Sequence, residues 1–269
     1  MRYYAFLSTI VLVCTGCIQK EALEFPQNSQ QHTVYTNHFN IATAVESKTN
    51  QGKSTDILRI YLEGDGRAWR SRYLPSADPT PTQSVVVALF SKDPTKYKAY
   101  IARPCQFISN SHCQKSYWTD ARYSEEVVQS MNQAVNATKQ RTGVNKIQFV
   151  GHSGGGAIAL LLAARRNDVE SIITLAGNLD HENFSKQQNL TPLKASLNPA
   201  DYMAQTKHIP QIHFAGAEDK VIFPSLVKDY TAQANSNCVK MEVLPQTTHL
   251  KGWMPYLQRI LTTPINCKK

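Results

Sequence analysis

The run at residues 146–155 constrains the fold more than any other stretch of the chain. An unbroken strand-like segment, 146–150 (KIQFV), passes directly into Gly151-His152-Ser153-Gly154-Gly155, and an Ala- and Leu-rich helical segment, 154–166, follows. A serine at so sharp a strand-to-helix turn sits in a strained backbone conformation. Small residues at 151 and 155 let the strand and helix pass close beside it. The helix start supplies unpaired N–H groups next to the hydroxyl. A Gly-x-Ser-x-Gly string alone arises by chance, and a glycine-rich packing turn is the plain alternative. Between these two flanks it points to an exposed, nucleophilic serine.

The rest of the chain alternates in the same manner. Strands are expected at 57–62 (ILRIYL), 97–103 (YKAYIAR), 171–176 (SIITLA), 211–216 (QIHFAG) and 239–244 (VKMEVL), with two antiparallel strands within 32–47. Helices are expected at 124–140, N-capped by Ser124, at 224–234 and at 253–261. Residues 71–81 and 105–120 read as loops. Segment 82–90 (TQSVVVALF) has strand-like composition. Only a short link separates it from the strand at 97–103, so a helix between two strands is the expectation. This order predicts an α/β fold with a mostly parallel central sheet and helices on both faces. Its site belongs at the carboxyl ends of the strands. Residues 178–210 leave room only for a helix and loops, so little or no lid is expected.

A serine needs a base and an orienting carboxylate to act as a nucleophile. In this kind of fold they follow in the order serine, acid, histidine. Asp219 comes just after the strand at 211–216, and His249 comes after the strand at 239–244. Each thus follows its own strand. Asp219 has rivals in the adjacent Glu218 and in Asp180. His249 has rivals in His181, His208 and His213, of which His213 lies inside a strand and His208 at the wrong sheet end. Acyl transfer also needs donors for a developing oxyanion. The Gly154 N–H is one expected donor. The other is the Asp65 N–H, in the Glu63-Gly64-Asp65-Gly66 turn that ends an early strand. Gly64 and Gly66 would shape that turn and line the substrate site. Tyr117 and Trp118, behind the 105–113 loop, are expected as aromatic lining, with a small loop core as the alternative.

The N-terminus carries one cation, Arg2, then an apolar run to Val13, then Cys14-Thr15-Gly16-Cys17. That anatomy is a secretory signal, and the small pair before Cys17 resembles a bacterial lipobox. The resemblance implies removal of residues 1–16, lipid attachment at Cys17 and a mature second residue, Ile18, of the outer-membrane sorting type. Residues 17–32 are polar and read as a tether, with the domain at 33–269. The expected location is the cell envelope, held to the membrane through the N-terminal lipid. Four cysteines remain: Cys105, Cys113, Cys238 and Cys267. In an oxidising compartment they are expected to pair. Of three possible connectivities, the local one, Cys105–Cys113 with Cys238–Cys267, is preferred. The chain's net charge of +9 is dispersed. No nucleic-acid motif, metal cluster or nucleotide signature appears, so no cofactor, metal or nucleic acid is expected.

These motifs, with the Gly216–Asp219 loop and Thr248-His249, resemble the α/β-hydrolase superfamily over roughly residues 55–263. The strings YLEGDG, ARPCQ, YWTDARYS, TLAGNLD and SLNPADY resemble, more narrowly, a group of proteobacterial α/β-hydrolase lipoproteins. The resemblance implies a serine hydrolase acting on an ester-containing small molecule or lipid. Ser153 would attack, His249 carry the proton and Asp219 orient the imidazole. Thioester or peptide cleavage, acyl transfer and a non-catalytic envelope role stay open, because fold does not separate them.

Overall fold

The computed structural model describes residues 25–47 and 56–267. The expected signal segment, Cys17 and the first part of the tether lie outside the described residues. In chain order the strands are β1 (Gln30–Tyr35), β2 (Asn40–Ser47), β3 (Ile57–Leu62), β4 (Trp69–Ser71), β5 (Leu74–Pro75), β6 (Tyr97–Ile101), β7 (Lys146–His152), β8 (Val169–Leu175), β9 (Gln211–Gly216) and β10 (Val239–Leu244). Eight of them form one sheet in the order β1-β2-β6-β3-β7-β8-β9-β10, and β4 and β5 form a separate hairpin. The pairs β1–β2 and β2–β6 are antiparallel. From β6 through β10 every pair is parallel.

Segment 82–90 resolves as a helix, α1 (Val85–Lys92), for a local reason. Ser84 adopts an extended backbone and its hydroxyl accepts from Val87 N, capping the first turn. The helix makes the crossover that the parallel pair β3–β6 requires. Helix α2 (Glu125–Thr142) buries Val127, Val128, Met131 and Val135 and stops at Gly143, whose φ of 66° suits glycine. Ser124 is at its N-cap position but bonds no backbone N–H; its hydroxyl reaches Glu126 instead. Helix α3 (Gly154–Ala163) is buried on every side, which explains its all-apolar sequence.

The segment between β8 and β9 holds α4 (His181–Gln187), a single 3₁₀ turn and α5 (Met203–Thr206), with no inserted domain. Helices α6 (Pro224–Ala234) and α7 (Leu257–Thr262) complete the chain. The expected closing helix at 253–261 starts later, because residues 254–256 form a 3₁₀ turn. The expected domain boundary at residue 33 falls inside β1. Phe25 already packs on Tyr100 and Phe90, with ring centroids 5.0 and 6.4 Å away. Both disulfides have the local connectivity, Cys105–Cys113 and Cys238–Cys267.

Register sets up the site. Leu62 pairs with Gly151 and Ile101, and Gly216 pairs with Leu244. The carboxyl ends of β3, β6 and β7 are thereby level with one another, as are those of β9 and β10.

Candidate active site

Ser153 joins β7 to α3 with φ 53° and ψ −120°. For a residue with a side chain this conformation costs on the order of 1–3 kcal/mol and persists only where the surroundings enforce it. Here its N–H donates to Leu175 O at 3.0 Å, and its carbonyl accepts from Gly156 N and Asn178 N, both at 3.0 Å. The glycines are steric requirements. A Cβ on Gly151 would lie 2.3 Å from Gly155 O, and one on Gly155 would lie 2.2 Å from Leu62 O.

His249 Nε2 lies 3.1 Å from Ser153 Oγ, and its Nδ1 lies 2.9 Å from Asp219 Oδ2. With Nδ1–H donating to the carboxylate, Nε2 is free to accept from the serine hydroxyl. Asp219 is buried, and its other oxygen accepts from Val221 N at 2.7 Å and Ile222 N at 3.0 Å. Those two bonds fix the carboxylate plane toward the imidazole.

The rival residues have other employment. Asp180 caps α4, accepting from Glu182 N and Asn183 N at 3.1 Å each. Glu218 is exposed. His213 is buried between Thr174 Oγ1 and Gln211 Oε1, and burial pushes its pKa down to about 3. His181 is buried beside the Tyr123 ring, and His208 is exposed.

The Glu63–Gly66 turn runs alongside the serine. A Cβ on Gly64 would sit 3.1 Å from His152 O and 3.4 Å from Ser153 Cβ. A Cβ on Gly154 would sit 2.0 Å from Asp65 Oδ1, so the two segments that carry the expected oxyanion donors touch. Neither the Asp65 nor the Gly154 amide donates to another described residue. Gly66, at φ +61°, has Pro79 O where a Cβ would go, 2.1 Å away.

Sequence reasoning missed what holds this turn. The Asp65 carboxylate receives Arg103 Nη1 at 3.0 Å, Arg122 Nη1 at 2.9 Å and Tyr123 OH at 3.1 Å. Burial works to raise its pKa, but the two guanidiniums outweigh that and hold the carboxyl below its usual range. Glu63 is buried beneath, accepting from Tyr100 OH at 2.9 Å, from Gly64 N at 3.0 Å and from the Ser84 hydroxyl. Burial raises its pKa despite those bonds. Gln106, next to the Cys105–Cys113 link, donates to Gly64 O at 3.0 Å. The signal was present: two carboxylates in a glycine turn after an apolar strand need cationic or hydroxyl partners if they are buried.

His152 was also missed. It is buried, and burial with the neighbouring His249 lowers its pKa to about 3, so the ring is neutral. Its Nε2–H donates to His249 O at 2.8 Å, and Trp253 Nε1 donates to the same carbonyl at 3.2 Å.

Gly64, Asp65, Gly66, Arg67, Ser153, His249 and Leu250 line a cleft of ≈ 200 Å³. A second hollow of ≈ 300 Å³ shares Gln83 and Leu250 with it and is walled by Val85, Ala88, Trp253, Met254 and Pro255. The expected aromatic lining is corrected. Trp118 is buried and donates to Ser76 O at 3.1 Å, and Tyr117 packs edge-on to Phe39 at 4.8 Å. They form a loop core, because the 3₁₀ turn at Lys115–Trp118 folds their rings inward. Among the described residues no cluster could hold a metal ion.

Comparison with known proteins bears on the same residues. A family model described as lipase (class 3) matches residues 80–171, about a third of the chain, and that stretch includes Ser153. No curated protein matches the chain significantly. Solved structures share the fold. A lidless α/β serine hydrolase, XC6422 from Xanthomonas campestris, superposes with a TM-score of 0.57 at 13% identity, over 91% of this chain and 99% of that one. Est1E from Butyrivibrio proteoclasticus gives 0.57 at 12%, over 85% and 94%. The Pyrococcus furiosus esterase Pf2001 gives 0.60 at 10%, over 88% and 89%. The chain has the α/β-hydrolase fold, and its matched stretch is similar to a lipase family.

Proposed function

We propose that the protein hydrolyses carboxylic esters through an acyl-enzyme on Ser153. The carrying observation is the continuous relay Ser153 Oγ–His249 Nε2–Asp219, at 3.1 and 2.9 Å. Ser153 Oγ attacks the ester carbonyl as its proton passes to His249 Nε2. The tetrahedral oxyanion faces the N–H groups of Gly154 and Asp65, each such donor contributing about 3–4 kcal/mol to the transition state. Collapse breaks the acyl C–O bond, and His249 returns the proton to the leaving alkoxide. Water then repeats the sequence on the acyl-serine, releasing the acid and restoring the serine. Asp219 stays ionised throughout and holds the imidazole in the tautomer the relay needs. The open cleft and the adjoining apolar hollow favour an ester with an apolar acyl group.

The two disulfides favour an exported protein. We place it in the cell envelope, anchored to the outer membrane by a lipid on Cys17 and facing the periplasm or the cell surface. Labelling with radioactive palmitate in wild type and Cys17→Ser tests the anchor.

The experiment for the activity is covalent labelling by a fluorophosphonate probe, wild type beside Ser153→Ala. Labelling confined to wild type supports the reading. A folded wild type that takes no label overturns it.

A further inference from the structure

Beside the cleft stands a feature with no part in the relay. The β4–β5 hairpin projects from the end of the Glu63–Gly66 turn. Every residue from 69 to 74 is exposed. Its base is fixed: Ser76 N donates to Ala68 O at 2.9 Å, Arg67 N donates to Pro79 O at 2.9 Å, and Trp118 holds Ser76 O. It is therefore a seated projection. Its tip leans on the end of α4, where Arg72 Nη2 reaches Asn189 O at 3.0 Å, next to the exposed Leu190.

The composition of the projection is one-sided. Trp69, Tyr73 and Leu74 are 43, 83 and 52% exposed. Arg67, Arg70 and Arg72 alternate with them, and no acidic residue occurs between Asp65 and Asp78. Among the described residues no carboxylate forms an ion pair with any of the three arginines. Exposed rings on one short hairpin are costly in water, and the three arginines beside them have no counter-charge among the described residues. Tryptophan and tyrosine settle at the headgroup level of a bilayer, where an apolar ring and a polar edge are both accommodated. Arginines at that level meet anionic headgroups.

We propose that this hairpin docks the protein on a lipid bilayer bearing anionic headgroups. Charge complementarity selects that occupant: a neutral surface would leave the arginines unmatched, and a purely soluble anion would leave the rings in water. Arg67 belongs to both the hairpin stem and the cleft lining. Docking there brings the cleft mouth to the membrane, so that, on the hydrolase reading, the ester is met at the lipid surface. The hairpin adds a contact separate from any N-terminal lipid.

The molecule supplies its own reporter. Of its three tryptophans, Trp118 and Trp253 are 8 and 2% exposed, and Trp69 alone is open to solvent. The test uses the full chain carrying Cys17→Ser, which removes the lipid attachment point. It is mixed with phosphatidylcholine vesicles with and without phosphatidylglycerol. The expected result is a blue shift of tryptophan emission, with quenching by brominated acyl chains, only when phosphatidylglycerol is present. Salt reverses the shift, and Trp69→Phe abolishes it. Arg70→Gln with Arg72→Gln lowers partitioning on the order of 20-fold. No shift on anionic vesicles, a shift that survives Trp69→Phe, or partitioning indifferent to the arginine pair overturns the proposal. Binding to a soluble acidic protein with none to vesicles overturns it also. Fluorophosphonate labelling of each variant checks that it folds. Docking without labelling of wild type would count against the hydrolase reading and leave the docking surface standing.

Discussion

His152 Nε2 donates a 2.8 Å hydrogen bond to the backbone carbonyl of His249, so the residue before Ser153 holds the loop that carries His249. Their rings lie 4.8 Å apart. Because His152 stays neutral, it supplies this bond without placing a second positive charge beside the imidazolium that the proposed mechanism forms on His249. His152→Phe keeps the bulk and removes the donor. The expected result is a fall in kcat of about 10–100-fold, the scale on which small misplacements of a catalytic group act, with KM for a short soluble ester unchanged. His152→Gln, whose amide can reach the same carbonyl, should recover part of it. Equal losses in both variants would show that the bond does not position the base.

The two candidate acids separate cleanly by substitution. Asp219→Asn should lower kcat by about 10⁴ while the fold persists, since the wrong imidazole tautomer is then favoured. Asp180→Asn leaves a competent helix cap and should change neither activity nor stability, whereas Asp180→Ala should cost about 1 kcal/mol of stability. Steady-state kinetics with urea unfolding on the three variants decides between them.

Asp65 sits between the buried guanidinium of Arg103 and the partly buried one of Arg122. Asp65→Asn removes the counter-charge of both Arg103 and Arg122, and breaking a buried pair in this way costs about 3–5 kcal/mol. The urea midpoint should fall accordingly, with activity lost in the same sample because the oxyanion turn loses its tether. A midpoint within error of wild type would show the network to be dispensable.

His213 makes stability depend on acidity. Its pKa is about 3 in the folded chain against an ordinary 6.5. Below about pH 6.5 the unfolded chain therefore takes up a proton that the folded chain refuses, and stability falls as pH drops toward 3. Above that window His213 contributes no pH dependence. From pH 7 to pH 5 the loss is about 2 kcal/mol. His152 and Glu63 titrate alike in wild type and His213→Gln, so the difference between the two proteins isolates His213. Urea midpoints at both pH values should show wild type losing about 2 kcal/mol more than the variant. Parallel losses would exclude His213 as the source.

The relay was legible because each member is announced locally. Ser153, Asp219 and His249 each follow an apolar strand by a turn, and a parallel sheet sends such turns to one edge. The α1 crossover was legible for a topological reason, since strand-like Val85–Val87 had no room to pair before β6. What escaped was set by contacts distant in sequence. Arg103 and Arg122 lie 38 and 57 residues beyond Asp65, and no periodicity links them to it. His152 occupied a variable position of its motif, and its bond to His249 spans 97 residues. Tyr117 and Trp118 were misplaced because a loop's direction depends on a 3₁₀ turn that composition does not announce. Phe25 is a similar case: it lies in a polar stretch, and only the Phe90 and Tyr100 rings reveal that it packs against the core.

The Cys238–Cys267 bond closes a ring that begins one residue before β10 and takes in His249, Gly252, Trp253 and α7. His249 is therefore carried on a covalent circle. An enzyme that nibbles from the carboxyl terminus meets a knot at Cys267 before it can peel α7 away. An endoprotease that cuts once inside the circle leaves both pieces joined through sulfur. Against proteolysis, His249 is thus held by a segment that has to be severed twice before it is lost.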